Sequence, residues 1–514
     1  MHADFSRLTF RPGKHYSAVL TQQGRVQLDA DANEQAAIER YQLRTLAADL
    51  IGRHGGPAAA AGFAIGHVPG SHDLDDLTIG GGRYYVDGIL CEAHRPVPGR
   101  AAPEDGGAGA PTGPSTGPSA GPSAGASDGG AGEEPAGWTY WDQPDAYRDQ
   151  ERPGDRLPGA FPFLVYLKVW ERSVTAVEDP ELREVALGAA MPDTAARAKV
   201  VWQVLALPAS ELSVPEGGLA GVREAFDAWA GAHERPVARL AARARRPERA
   251  GEDPCLAHPE ARYRGPENQL YRVEVHHGGR AGCDATFTWS RENGSVVLPI
   301  VSVEGVWVGL GTLGDDDRLG LSVGDRVEVA DSASVSREEV TELLQVEEID
   351  LPGRRVRLSA EPAPEVGRQA ARHPFLRRWD HREPRGRDAP PLAGGALPLQ
   401  EGSWLDLEDG VQVYFRPDGT YTRGDYWLVP ARTATGSVEW PRNAAGEALL
   451  QPPAGIRVHH APLAWVTGPA EVTDLRRSFG PLTAQAGADA GAAPVDEGRQ
   501  SAGPTGPPGC RVGP

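Results

Sequence analysis

A mainly β fold, made of several small antiparallel sheets or barrels with an N-terminal hairpin-helix unit and one helical insertion, is what the sequence predicts. Three observations carry this. Short apolar runs with a period of two recur along the chain between Gly, Pro, Asn and Asp clusters. Asp87-Gly88 and Asn293-Gly294 stand between such runs as two-residue hairpin signals. Sustained helical spacing occurs in two stretches, one starting near Asp31 and one near Leu219.

The N-terminal unit comes first. Tyr16, Ala18 and Leu20, then Val26 and Leu28, alternate as half-buried strands do, and Gly24 after Gln22 and Gln23 suits a tight turn with positive φ. Asp31 and Glu34 stand at the D-x-x-E spacing of a helix cap, with Asp31 expected as the N-cap and Glu34 reaching back to it. Ile38, Tyr41, Leu46, Leu50 and Ile51 continue the helix to about His54, and Gly55-Gly56-Pro57 ends it. Asp29, Asp31 and Asn33 also reproduce the opening of a calcium loop. Glu34 replaces its glycine and Arg40 its bidentate glutamate, so capping is the better reading.

Short strands over Asp76–Glu92 complete a first region, 1–96. Residues 97–137 are nearly all Pro, Gly, Ala, Ser and acids and are expected as a disordered linker. A β domain is expected over 138–302. Its strand from Phe161 to Trp170 is apolar on both faces, as a central strand would be. Leu182–Leu187 and Lys199–Leu205 read as further strands, and the helical insertion as about 219–246. The Asn293-Gly294 turn is expected to join the strand ending at Arg291 to the one starting at Ser295. Residues 303–370 suggest a small barrel or sandwich, 371–403 a Pro- and Arg-rich connection, 404–483 a C-terminal β block, and 484–514 a disordered tail.

Composition limits the functions. Fifty-two basic against 71 acidic residues give a formal charge of −19, which repels a phosphate backbone, so nucleic acid is not an expected partner. Neither an apolar signal region near Met1 nor a long apolar run appears, which predicts cytoplasmic synthesis and no membrane insertion. Cys91, Cys255, Cys283 and Cys510 lack metal or redox spacing. The pairs His276-His277 and His459-His460 each offer one ligand per strand face, too few for a metal site. Glu171, Glu178 and Glu184 raise a glycosidase question, and Trp289, Trp404, Trp427, Trp440 and Trp465 a sugar-platform one. Solvated acids and core packing are the ordinary fates of such residues. No catalytic residue, cofactor or metal ligand is assigned.

Several runs together resemble a known family. They are Phe5-Ser6-Arg7, Lys14–Ser17, Gln22–Gln35, Glu184–Gly188, Asp193–Arg197, Val201–Val204, Asn268–Glu274, Phe287–Gly294, Gly424–Arg432 and Arg476–Leu482. The chain resembles a bacterial family of unknown biochemical function often encoded with phage-tail-like contractile injection systems. It departs from that pattern at Ala32, where tryptophan is frequent, and in the helical stretch 219–246. The resemblance implies a non-catalytic structural or accessory component, baseplate-associated, that contacts sheath, tube or baseplate proteins. Gln22, Gln23, Gly24, Asp29, Asp31, Asn33 and Glu34 are its expected assembly motif, and the copy number is left open. The alternatives are a carbohydrate-binding or carbohydrate-active β protein and a toxin-like cargo.

Overall fold

The computed structural model describes residues 1–70, 74–96, 137–188, 192–214, 218–245, 262–314, 316, 318–383 and 390–482. Apart from Gly137, the expected linker lies outside these residues, as do the expected tail, Cys255 and Cys510. The described chain is mainly β, in small sheets that are antiparallel except for one parallel edge pairing, with few helices.

The four-stranded sheet Glu471–Asp474, Val458–Gly468, Phe163–Val174, Arg197–Pro208 shows why its inner strand lacks a polar face. Phe163, Val165, Leu167 and Val169 enter a core shared with Phe63, Tyr84 and Trp202. Leu164 and Tyr166 point the other way, onto Val222, Phe226 and Ala230 of the helix Gly218–Glu234. Both faces are therefore dry, and a near-continuous apolar run results.

A five-stranded sheet in the order Leu397–Pro398, Thr286–Ser290, Gln269–His277, Tyr426–Arg432, Ser437–Val438 packs on the three-stranded sheet Trp404–Asp406, Val411–Phe415, Leu240–Ala244. Tyr271, Trp289, Phe415 and Trp427 fill the space between them. Six strands, from Val297–Glu304 to Phe375–Trp379, close a barrel around Val308, Val327, Val346 and Leu376.

Four sequence expectations are corrected. The helical stretch ends at Glu234, and Leu240–Ala244, expected as helix, is a strand paired with Val411–Phe415. Pro236 interrupts the helix, and the small side chains beyond it fit the sheet interface. The expected connection 371–403 contains Phe375–Trp379, a buried barrel strand whose Arg377 and Arg378 disguise it as surface. Leu182–Leu187 forms two short 3-10 turns instead of a strand.

Asn293-Gly294 is the fourth. Both residues take positive φ, 52° and 64°, and the Ser295 amide donates to the Glu292 carbonyl at 2.9 Å. The local turn is as expected, yet the strands beside it never pair: Thr286–Ser290 joins the five-stranded sheet and Val297–Glu304 the barrel. It is a crossing between sheets. Asp87-Gly88, by contrast, does close a hairpin, with Val86 opposite Ile89.

That hairpin tip also seats the N-terminal helix. At Gly88 φ is 76°, and a Cβ there would lie 2.2 Å from the carbonyl oxygen of Arg44. Gly88→Ala is expected to lower stability by about 2–4 kcal/mol. A denaturant midpoint within experimental error of wild type would refute this contact.

Candidate functional site

The N-terminal block divides into a buried strap, an exposed arm and a helix. The helix spans Asp29–Ile51, starting two residues before the expected position. Leu28 is the N-cap, and Asp31, at the third helical position, accepts from the Leu28 amide at 3.3 Å. The caps are thus shifted from the expected assignment. Asp29 accepts from the Ser6 amide and hydroxyl at 2.9 and 2.5 Å, and Glu34 accepts from the Thr9 hydroxyl at 2.5 Å. These bonds hold Asp29 below the usual carboxylate range against the opposing effect of burial. Of the two acids placed at the cap spacing, Asp31 therefore does cap, while Glu34, together with Asp29, ties the preceding chain to the helix. Removing both in Asp29→Ala/Glu34→Ala should cost about 1–3 kcal/mol and speed amide exchange at Ser6; unchanged exchange would refute the tether.

Between strap and helix, residues 15–28 form no strand, which corrects the hairpin half of the expected unit. The turn survives: Gly24 has φ 70°, and the Arg25 amide donates to the Gln22 carbonyl at 3.2 Å. From Arg11 to Asp29 every residue except Val19 is exposed, Gln22 and Gln23 included. The period-two pattern is real, but no core lies under it, and an isolated two-stranded ribbon is marginal in water. Leu20 and Val26 are each 83% exposed. The arm is fixed to the helix where the Val19 amide donates to Gln35 Oε1 at 2.7 Å and where Phe10 packs on Tyr41.

The helix is itself apolar on two sides. Ala30 and Ile38 are its buried residues. On the opposite face Ala32, Ala36, Leu43, Leu46 and Leu50 are all exposed. Asn33 is half-buried beside this stripe. Isolated exposed apolar residues need no explanation, but a group of them along one element marks an interaction surface.

The strap ends in a socket where the barrel, the five-stranded sheet and the four-stranded sheet meet. The Met1 amino group donates to Tyr426 Oη at 2.8 Å, and the His2 amide donates to Ser173 Oγ at 2.8 Å. Asn293 Nδ2 donates to the Met1 and Ala3 carbonyls at 3.2 and 2.8 Å. Arg272 lies 3.6 Å over the Tyr426 ring and donates to Glu274, to Asn293 Oδ1 and to the Met1 carbonyl. Burial, then Arg272 and Arg377, pull His2 well below the usual imidazole range. The neutral ring then donates from Nε2 to Glu274 at 3.0 Å. Glu274 is held well below the usual carboxylate range: burial opposes this, but the Arg272 charge prevails. Gly294 admits the His2 ring, since a Cβ there would come within 2.7 Å of it.

The other sequence candidates have structural occupations. His459 bonds Asp87 at 2.7 Å and His460 bonds Glu234 at 3.2 Å. Glu171 takes a fork of bonds from Arg44, and Glu178 pairs with Arg172. Trp289 and Trp427 are buried, and Arg243 covers the Trp404 ring at 3.9 Å. Among the described residues no group of three or more His, Cys, Asp or Glu is placed to hold a metal ion, and no helix is long and apolar enough to cross a membrane.

Fold and site together define a multi-lobed, mainly β protein that presents an apolar arm and helix face on a tethered N-terminal block. The chain belongs to the family described as a family of unknown function (DUF6519), whose model matches residues 1–113, 157–233 and 219–473. No curated protein and no solved structure matches the chain.

Proposed function

We propose that this chain is a non-catalytic structural or accessory component of a phage-tail-like contractile injection particle, acting through protein-protein contacts with sheath, tube or baseplate proteins. The observation that supports the reading is the exposed apolar surface concentrated in the N-terminal block. Nine large apolar side chains between Leu8 and Leu50 are exposed, among them Leu20 and Val26, the two most exposed among the described residues. Because Ser6, Thr9 and Val19 are bonded to the helix, the arm is already ordered, so docking loses less conformational entropy than a free tail would.

Copurification from a strain carrying the particle tests this. Sheath, tube or baseplate protein should come down with the wild-type chain, and Leu20→Asp/Val26→Asp should lose them while remaining folded. Complete, working particles from a deletion strain, with no particle protein captured, would end the proposal.

A further inference from the structure

The arm differs from the rest of the molecule in charge as well as exposure. Residues 5–28 carry Arg7, Arg11, Lys14 and Arg25 and no acid at all, in a chain whose formal charge is −19. Of these, Arg7 is engaged with Glu439 on its own chain, whereas Arg11, Lys14 and Arg25 stand on the exposed arm. A 3-10 turn at Pro12–Lys14 and a reverse turn at Gln22–Arg25 divide the arm into short limbs that carry alternating apolar side chains and keep their backbone outside any sheet. A limb of this kind is suited to adding itself to an open strand edge, where main-chain bonds give affinity and alternate side chains give register.

We propose that the arm docks on a second copy of this chain, as a basic, apolar strand added to the acidic body of its partner. Like charges oppose association of two copies as wholes, so the contact must bring unlike charge together locally, and the arm supplies it. Two edges have matching chemistry. Ile89–Glu92 is outermost in its sheet, with Leu90 and Glu92 exposed. Trp404–Asp406 is outermost in another, with Asp406 exposed beside half-buried Leu405. Reciprocal exchange of arms closes a two-fold dimer and leaves neither arm unpartnered. The inference rests on the arm being a docking element and not on membership of a particle.

The purified full chain, with no other protein present, is the test. Mass measured by light scattering across a concentration series should show a dimer that weakens as salt rises. Arg11→Glu/Lys14→Glu/Arg25→Glu should raise the dimer dissociation constant by about ten-fold or more, as should Leu20→Asp/Val26→Asp. These side chains are exposed, and circular dichroism confirms that the variants fold. A photo-crosslinker at Leu20 in isotope-labelled chain mixed with unlabelled chain should give mixed-isotope pairs. A monomer at every concentration, or self-association indifferent to both arm variants, overturns the inference. A monomer whose arm captures a sheath, tube or baseplate protein also overturns it, and leaves the preceding proposal standing.

Discussion

Arg272→Met is expected to lower stability by about 3–5 kcal/mol, since removing one partner of a buried ion pair leaves the other charge uncompensated. Arg272 is 1% exposed and binds Glu274, Asn293, the Met1 carbonyl and the Tyr426 ring at once. Without it, Glu274 keeps its hydrogen bond with His2 but loses the guanidinium whose charge outweighs the effect of burial. Arg272→Met/Glu274→Leu should therefore cost less than the single change, since the stranded carboxylate is gone. Equilibrium denaturation of the three variants forms the cycle. If the double variant is the less stable by the full sum of the singles, the two side chains do not act as a pair.

The same socket shows what a sequence reader can and cannot see. Apart from Ser173 and Arg377, its parts come from Asn268–Glu274, Phe287–Gly294 and Gly424–Arg432, three of the runs that carry the family resemblance, plus the first three residues. The runs were visible, but their convergence was not, because it depends on contacts between residues up to 425 positions apart. Period and turn chemistry located the central strand at Phe163 and the Asp87-Gly88 hairpin, where local and tertiary preferences agree. They misplaced Leu240–Ala244 because alanine favours helix, and Phe375–Trp379 because arginine is mostly exposed, whereas here Arg377 bonds Glu328 at 3.3 Å inside the protein. The arm at residues 15–28 failed for the opposite reason. Its alternation is that of a half-buried strand, and the chain offers it no sheet. A strand pattern without a strand is the sequence signal of the proposed docking element, legible once the fold shows what is missing.

Asp425→Asn is expected to make the protein more stable at pH 8, by up to about 4 kcal/mol, while leaving it near wild type at pH 3. Asp425 opens the strand Tyr426–Arg432, is 6% exposed, and has an Oδ2 without a hydrogen-bond partner among the described residues. Burial pushes its carboxyl up to about 7, against a hydrogen bond with the Thr422 backbone, from an ordinary value of 3.8. A carboxyl whose folded value is raised binds its proton more tightly in the native state. The stabilisation is complete below 3.8 and is lost as pH climbs toward 7. The amide removes that loss because it never ionises. Glu408, pushed up to about 7 by burial, has the same sign, and Glu274 has the opposite one. The wild-type curve mixes all three, so the difference between variant and wild type is what isolates Asp425. That difference should open between about pH 4 and pH 7 and stay flat above. A difference that is constant across the range would mean the carboxylate is solvated, and that the unpartnered oxygen at the start of this strand carries no energetic cost.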